Sequence, residues 1–241
     1  MEFKANFKTN FKCGEFRQKF IDKMVRTGKF YRNKNGVVLS KEYPKHEKNN
    51  LDHSNYSSKN FKDRKRSHYT VVEKLCEKYY PSPINTMEAG GATGYFAKMY
   101  INRFHPKTYV IYEQSKDMNK RSKKKFRDCK STKVNIKMKS FKNIPVEEIK
   151  EYDCVISLEV LEHINWDKEF LSSLSPSTWI FLSVPRIHDS THVRAYLTPD
   201  SISYRYKDIL NIYEIREVRR IIHFKSKHNY PLIWGVASQR K

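Results

Sequence analysis

The chain has 241 residues, 48 lysines and arginines against 26 acids, a net charge of +22, and 14% aromatic residues. That length suffices for one α/β domain with an extension, and no apolar run approaches the roughly 18 residues of a membrane span. Met1-Glu2-Phe3-Lys4 does not open a signal peptide, and Cys13, Cys76, Cys129 and Cys154 form no CxxC pair, which argues against a zinc cluster or disulfide frame and for a reducing, intracellular and cytoplasmic setting.

Residues 1–67 hold 18 basic side chains against 7 acidic ones, few aliphatics and no sustained period. Phe3, Phe7 and Phe11 recur every four residues, each followed by a lysine. On a helix this gives an aromatic stripe beside a basic one, suited either to packing on a domain or to stacking bases along a single strand. Gly36-Val37-Val38-Leu39-Ser40 reads as a strand or lid, and residues 49–66 as a polar connector. The expected division is a basic extension over 1–67 and a folded domain over 68–241.

Regular patterning begins at residue 68. Val71, Val72, Leu75 and Tyr79 mark a helix that stops at Pro81-Ser82-Pro83. Strands are predicted near 84–88, 108–113, 133–138, 153–158 and 178–184, alternating with helices near 93–104, 115–127, 146–150, 163–174 and 199–210. Thr198-Pro199 is a capped helix start, and residues 212–224 and 232–237 form a terminal hairpin. Alternation of this kind implies a parallel sheet with helices on both faces.

Chemistry concentrates at three strand ends. After the first strand, Glu88-Ala89-Gly90-Gly91-Ala92-Thr93-Gly94 joins strand to helix through a glycine turn, a construction that offers backbone N–H groups and a helix start to a ligand. Glu88 suits a cofactor with a positive amino group and no pyrophosphate; S-adenosylmethionine fits. Taken alone, the loop is also compatible with a turn that binds nothing. The second strand, Thr108–Tyr112, ends in Glu113, about 20 residues beyond the loop, where α/β folds hydrogen-bond a ribose. The buried strand Tyr152–Leu158 runs into Glu159-Val160-Leu161-Glu162-His163. His163, and His192 in the loop after the fifth strand, titrate near working pH and are candidate bases. Glu159, Glu162 and His163, at i, i+3 and i+4, would share one face of a helix, and with His192 form a possible divalent-metal set.

These motifs, in this order, resemble the class I S-adenosylmethionine-dependent methyltransferases over roughly residues 68–241. The resemblance implies a Rossmann-like seven-stranded sheet with helices on both faces and a C-terminal antiparallel hairpin. Glu88, Gly90, Gly91, Ala92 and Gly94 would form the cofactor loop, with Ala92 replacing its middle glycine. Glu113 would hold the ribose and Gln114 would line the adenine. Leu158 and Glu159 would face the methyl-donating end. Ser140 stands where the family often places an acid or polar group for the adenine amine, and its neighbour Phe141 suits either stacking on adenine or the core. Glu162, His163 and His192 are the implied catalytic residues. The Glu-x-x-Glu-His string is similar to that of small-RNA 3′-terminal 2′-O-methyltransferases, where it binds metal, implying Mg²⁺ or Mn²⁺ on Glu159, Glu162, His163 and His192. Ubiquinone-pathway O-methyltransferases carry a similar string, so it does not choose the substrate.

Charge bears on the acceptor. Residues 115–142 carry 12 basic against 2 acidic side chains, whereas 143–215, which hold the Glu159–His163 string, carry 6 against 12. Basic zones around a site concentrate polyanions, although a lysine-rich coding bias would give the same surface. The expected function is O- or N-methylation of a nucleic acid, RNA above all, or of another anionic acceptor. The alternatives are a small-molecule or lipid-precursor O-methyltransferase and a non-catalytic RNA-binding subunit. The Asp/Asn/Ser-Pro-Pro-aromatic motif of DNA amino-methyltransferases is absent after the fourth strand. Arg186 and Arg194, after the fifth strand, are read either as contacts to a phosphate or carboxylate of the acceptor or as paired with Asp189 or solvent.

Overall fold

A computed structural model describes residues 14–42, 67–186, 192–219 and 231–241. The Phe3, Phe7 and Phe11 stripe and the whole 49–66 connector lie outside them. Five parallel strands, β3 (Asn85–Ala89), β4 (Thr108–Tyr112), β5 (Lys133–Lys137), β6 (Cys154–Leu158) and β7 (Trp179–Pro185), are joined by antiparallel β8 (Leu210–Arg219) and β9 (Pro231–Arg240). The order across the sheet is β5-β4-β3-β6-β7-β9-β8. The chain first builds outward from β3 to β5, then returns to the other side of β3 with β6. Such a reversal opens a crevice at the carboxyl ends of β3 and its neighbours, where open α/β sheets bind ligands.

Successive residues of a strand face opposite sides, and here each side is buried. Tyr109 and Ile111 enter one core with Val72, Leu75 and Tyr100, while Val110 and Tyr112 enter the other with Val155, Leu182 and Trp234. Strands covered on both faces therefore read as continuous apolar runs. The covering helices are α2 (Ser67–Tyr79), α3 (Tyr95–Phe104), α4 (Lys116–Lys125), α5 (Val146–Ile149), α6 (Asp167–Ser173) and α7 (Pro199–Tyr206). Strand β5 forms one edge and places Lys133 and Lys137 along it, a composition that discourages pairing with another chain.

The amino-terminal segment folds as α1 (Gly14–Arg26) and a hairpin of β1 (Phe30–Arg32) and β2 (Val38–Ser40). The Asn33 side chain accepts the Asn35 and Val37 N–H groups at 2.9 and 3.0 Å, fixing the turn. Ile21, Phe30 and Val38 bury themselves against Ala195 and Leu197. This unit is therefore docked on the chain that follows His192.

Two helices differ from expectation. In place of a helix over 163–174, a 3₁₀ turn covers Leu161–His163 and α6 begins only at Asp167. The α7 helix ends at Tyr206 rather than 210, because Leu210 already pairs with Arg240 in the sheet. No helix among the described residues is long and apolar enough to cross a membrane.

Candidate active site

The loop after β3 is shaped by close contacts. A Cβ on Gly90 would lie 2.5 Å from Val160 Cγ2, and one on Gly91 would lie 2.3 Å from Ile111 Cγ2. Ala92 adopts a left-handed φ of 45°. That backbone costs an L-residue with a Cβ roughly 1–2 kcal/mol, so the alanine in the middle position keeps the turn at the expense of strain. Ser122 Oγ of α4 donates to Ala92 O at 3.0 Å, and Gly94 N–H donates to Gly91 O at 2.8 Å.

Both strand-end acids converge on this loop. Glu88 is 2% exposed, and Tyr109 Oη donates to its Oε2 at 3.0 Å. Burial pushes Glu88 up to about 8 against the opposing Tyr109 bond, with Glu113 adding to the rise. Glu113 is also raised by burial, opposed by backbone N–H donors. Its Oε2 accepts Ala92 N–H and its Oε1 accepts Ser115 N–H, each at 2.8 Å. Glu113 thus ties the glycine loop to the start of α4, and each carboxylate oxygen keeps a lone pair for a further donor. Gln114 is half-buried beside it.

The direction of the Glu88 shift sets a testable sign. With its pKa raised in the fold, the stabilisation from a neutral Glu88 is complete below the ordinary carboxyl value of 4.5 and is lost as pH rises through about 8. Without cofactor, Glu88→Gln should therefore gain in Tm over the unsubstituted protein on going from pH ~5 to ~9. An equal difference in melting at the two pH values would refute a buried, protonated Glu88.

At the end of β6, Glu159 adopts a left-handed φ of 57° and Val160 has φ −127°. The expected shared helical face of Glu159, Glu162 and His163 does not form. Glu159 N–H continues the ladder to Ser183 O at 3.1 Å, and Ser183 Oγ donates to Glu159 Oε1 at 2.8 Å. Glu159 is thereby held on β7. Glu162, His163 and His192 instead come together, with ligand atoms within 4.8 Å of one another, while Glu159 is turned to Ser183. The His163 and His192 rings meet edge to face at 4.8 Å, and His163 Nε2 lies 3.8 Å from Glu162 Oε1. Glu162 is fully buried, and neither carboxylate oxygen has a hydrogen-bond partner. Burial, reinforced by Glu159, raises its pKa well above the ordinary value.

A buried arginine assembles this cluster. Arg194 is 1% exposed and donates through Nη1 to the carbonyls of Leu161 and Ile164. Its Nη2 lies 3.3 Å from Asp167 Oδ1 and its Nε 3.6 Å from Glu42. Arg205 grips Asp167 with two bonds of 2.7 Å and also pairs with Glu42, while Val193 N–H donates to Glu162 O at 2.8 Å. The chain around His192 is thus laced to the turn bearing Glu162 and His163. Arg194 faces inward and is not placed to meet an acceptor. Arg186 is 5% exposed, with Glu217 at 3.8 Å and its guanidinium over Trp234. Sequence reading missed Tyr109, Ser122 and the Arg194–Asp167 pair. Tyr109 was legible from its place two residues before Ile111 on the same face, but nothing in the sequence links Arg194 to Asp167.

Ser140 accepts Lys142 N–H at 3.2 Å and caps a short 3₁₀ turn. Phe141 is buried against Trp166 and Phe170, with ring centroids 4.8 and 4.9 Å away. Leu158 closes the end of β6, half-buried.

A family model described as a methyltransferase domain matches residues 60–230. The chain belongs to the class I S-adenosylmethionine-dependent methyltransferases. Among solved structures, the methyltransferase is similar to the 1,6-didemethyltoxoflavin-N1-methyltransferase of Burkholderia thailandensis. The TM-score is 0.62 at 11% identity, over 88% of this chain and 99% of that one. The N-methyltransferase NodS of Bradyrhizobium japonicum gives 0.59 at 13% identity, over 82% and 97%. The magnesium protoporphyrin IX methyltransferase of Synechocystis gives 0.53 at 14%, over 73% and 80%. These likenesses show the fold. No curated protein matches the sequence.

Proposed function

We propose that this methyltransferase modifies an oxygen or nitrogen of a nucleic acid, RNA in particular, or of another anionic acceptor. The observation that carries the reading is the cluster of Glu162, His163 and His192 at the carboxyl end of β6, beside the cofactor loop. A Cβ on Gly90 would meet Val160, two residues before Glu162, so the cofactor loop packs on the turn that carries the cluster.

The donor set fits S-adenosylmethionine. Glu88 offers a buried carboxyl for an amino group and Glu113 keeps lone pairs for ribose hydroxyls. The bound cofactor supplies a methyl group on a sulfonium leaving group. The protein's part is to hold the acceptor in line, which is worth about 7–11 kcal/mol, and to receive its proton. With no metal bound, His163 or His192 takes that proton, a contribution of about 10²–10⁴-fold; with a metal bound, the imidazoles would be ligands and the proton would leave from the polarised acceptor to solvent. The orphaned oxygens of Glu162 also fit a divalent cation, since a buried carboxylate without a hydrogen-bond partner is costly. Glu162, His163 and His192 would hold Mg²⁺ or Mn²⁺, which would polarise an acceptor hydroxyl. We place the boundary between extension and catalytic domain at residues 67 and 68, with the 14–42 unit docked on Ala195 and Leu197.

The test is to incubate the purified protein with radiolabelled S-adenosylmethionine and separate RNA, DNA, protein and small-molecule pools, with and without chelator. Label in RNA, lost on chelation and restored by Mg²⁺ or Mn²⁺, is expected. Label confined to small molecules would establish the alternative, a small-molecule O-methyltransferase; activity indifferent to chelator would remove the metal.

A further inference from the structure

The α4 helix carries Lys116, Lys120, Arg121, Lys123, Lys124 and Lys125 within ten residues, and Arg127 follows it. Its buried face, Met118, Asn119 and Ser122, turns toward the sheet and the cofactor loop. On the outer side lies a depression of about 600 Å³ lined by Lys120, Arg121, Lys123, Lys124, Arg127 and one acid, Asp117. One acid, Asp117, faces five cations in this groove. Lys120 with Lys124, and Lys123 with Arg127, stand four residues apart, a spacing at which like charges repel on a helix.

Arg121 sits half-buried among these lysines, and a guanidinium is matched by the paired oxygens of a phosphate. A row of cations of this kind is complementary to a chain of phosphates.

We infer that this groove binds the phosphate backbone of single-stranded RNA and so presents the acceptor to the cofactor crevice. The inference rests on the RNA-methyltransferase reading above. The spacing supports it, because Ser122 and Phe126 of the α4 region contact Gly94 and Ala92 of the cofactor loop. A strand in the groove therefore lies one helix diameter, about 10–12 Å, from that loop. RNA is favoured over DNA because the segment after β6, Leu158-Glu159-Val160-Leu161, lacks the signature of DNA amino-methyltransferases.

The experiment is fluorescence anisotropy of a labelled single-stranded RNA with the full chain across a salt series. Each phosphate contact contributes about −0.7 to the slope of log K against log[salt] for a single strand. The variant Lys120→Gln/Arg121→Gln/Lys124→Gln/Arg127→Gln should weaken binding at least about tenfold and flatten the slope by about 3. A control, Lys150→Gln/Lys168→Gln/Lys207→Gln/Lys241→Gln, removes equal charge elsewhere and should retain most of the slope. The inference fails if the groove variant binds RNA as the unsubstituted protein does, or if the control loses as much. It also fails if single-stranded DNA binds more tightly, or if polyglutamate displaces RNA at equal charge. Calorimetry with S-adenosylmethionine should give unchanged cofactor affinity in the groove variant, showing that it is folded. RNA binding through the groove without methyl transfer to RNA would defeat the functional reading and leave the groove standing. Transfer to RNA with unchanged KM in the groove variant would do the reverse.

Discussion

Glu113→Ala is expected to weaken S-adenosylmethionine binding by about 10²–10⁴-fold. Two ribose hydroxyls donating to one carboxylate are worth about 1.5–3 kcal/mol each, and every 1.4 kcal/mol is a factor of ten. The substitution also removes the acceptor of Ala92 N–H and Ser115 N–H, so the loop loses its tie to α4. Glu113→Gln separates the two effects. It keeps one carbonyl oxygen for the loop while giving up the charge, and should melt closer to the unsubstituted protein while still losing most of the affinity. Calorimetry gives the affinity and thermal melting the stability. Glu113→Ala binding the cofactor within about threefold of the unsubstituted protein would show that this carboxylate only braces the loop.

Arg194→Met should be the most destabilising single change in the active-site region. The guanidinium is 1% exposed and satisfies two carbonyls and part of the Asp167 charge. Breaking a buried pair by deleting one partner costs about 3–5 kcal/mol. For a chain of this size that lowers Tm by about 2–4 °C per kcal/mol, or roughly 6–20 °C. Arg205 remains on Asp167, so unfolding should stay cooperative. Arg194→Lys should recover only part of the loss, because an ammonium cannot span the Leu161 and Ile164 carbonyls and Asp167 together. A melting temperature unchanged in Arg194→Met would mean that the lacing of the His192 segment contributes nothing.

The strands and the cofactor loop were legible because their signals are local. Thr108–Tyr112 is β-branched and aromatic, and Glu113 follows it at the spacing that the parallel register of β3 and β4 requires. The Glu159–His163 turn was read as helix because the i, i+3, i+4 pattern holds equally well in any chain. Only the left-handed backbone at Glu159 and its tether to Ser183 decide otherwise, and both depend on a strand more than twenty residues away. Arg194 was misplaced for a similar reason. An arginine in a loop after a strand reads as solvated, and its burial follows from Asp167, Glu42 and two carbonyls that distant parts of the chain supply. The docking of Ile21, Phe30 and Val38 on Ala195 and Leu197 was hidden in the same way, since a basic, aliphatic-poor segment gives no sign of what it covers.

The placement of β9 between β7 and β8 bears on the order of assembly. Strand β8 finds no neighbour in the sheet until residues 231–240 have been made, and its own hydrogen-bonding edge stays open until then. A nascent chain that has reached residue 230 therefore presents two unfinished strand borders, a state prone to wrong pairing. Pairing of β8 with β9 is local, so the hairpin can form first and the long-range closure is the docking of β9 on β7.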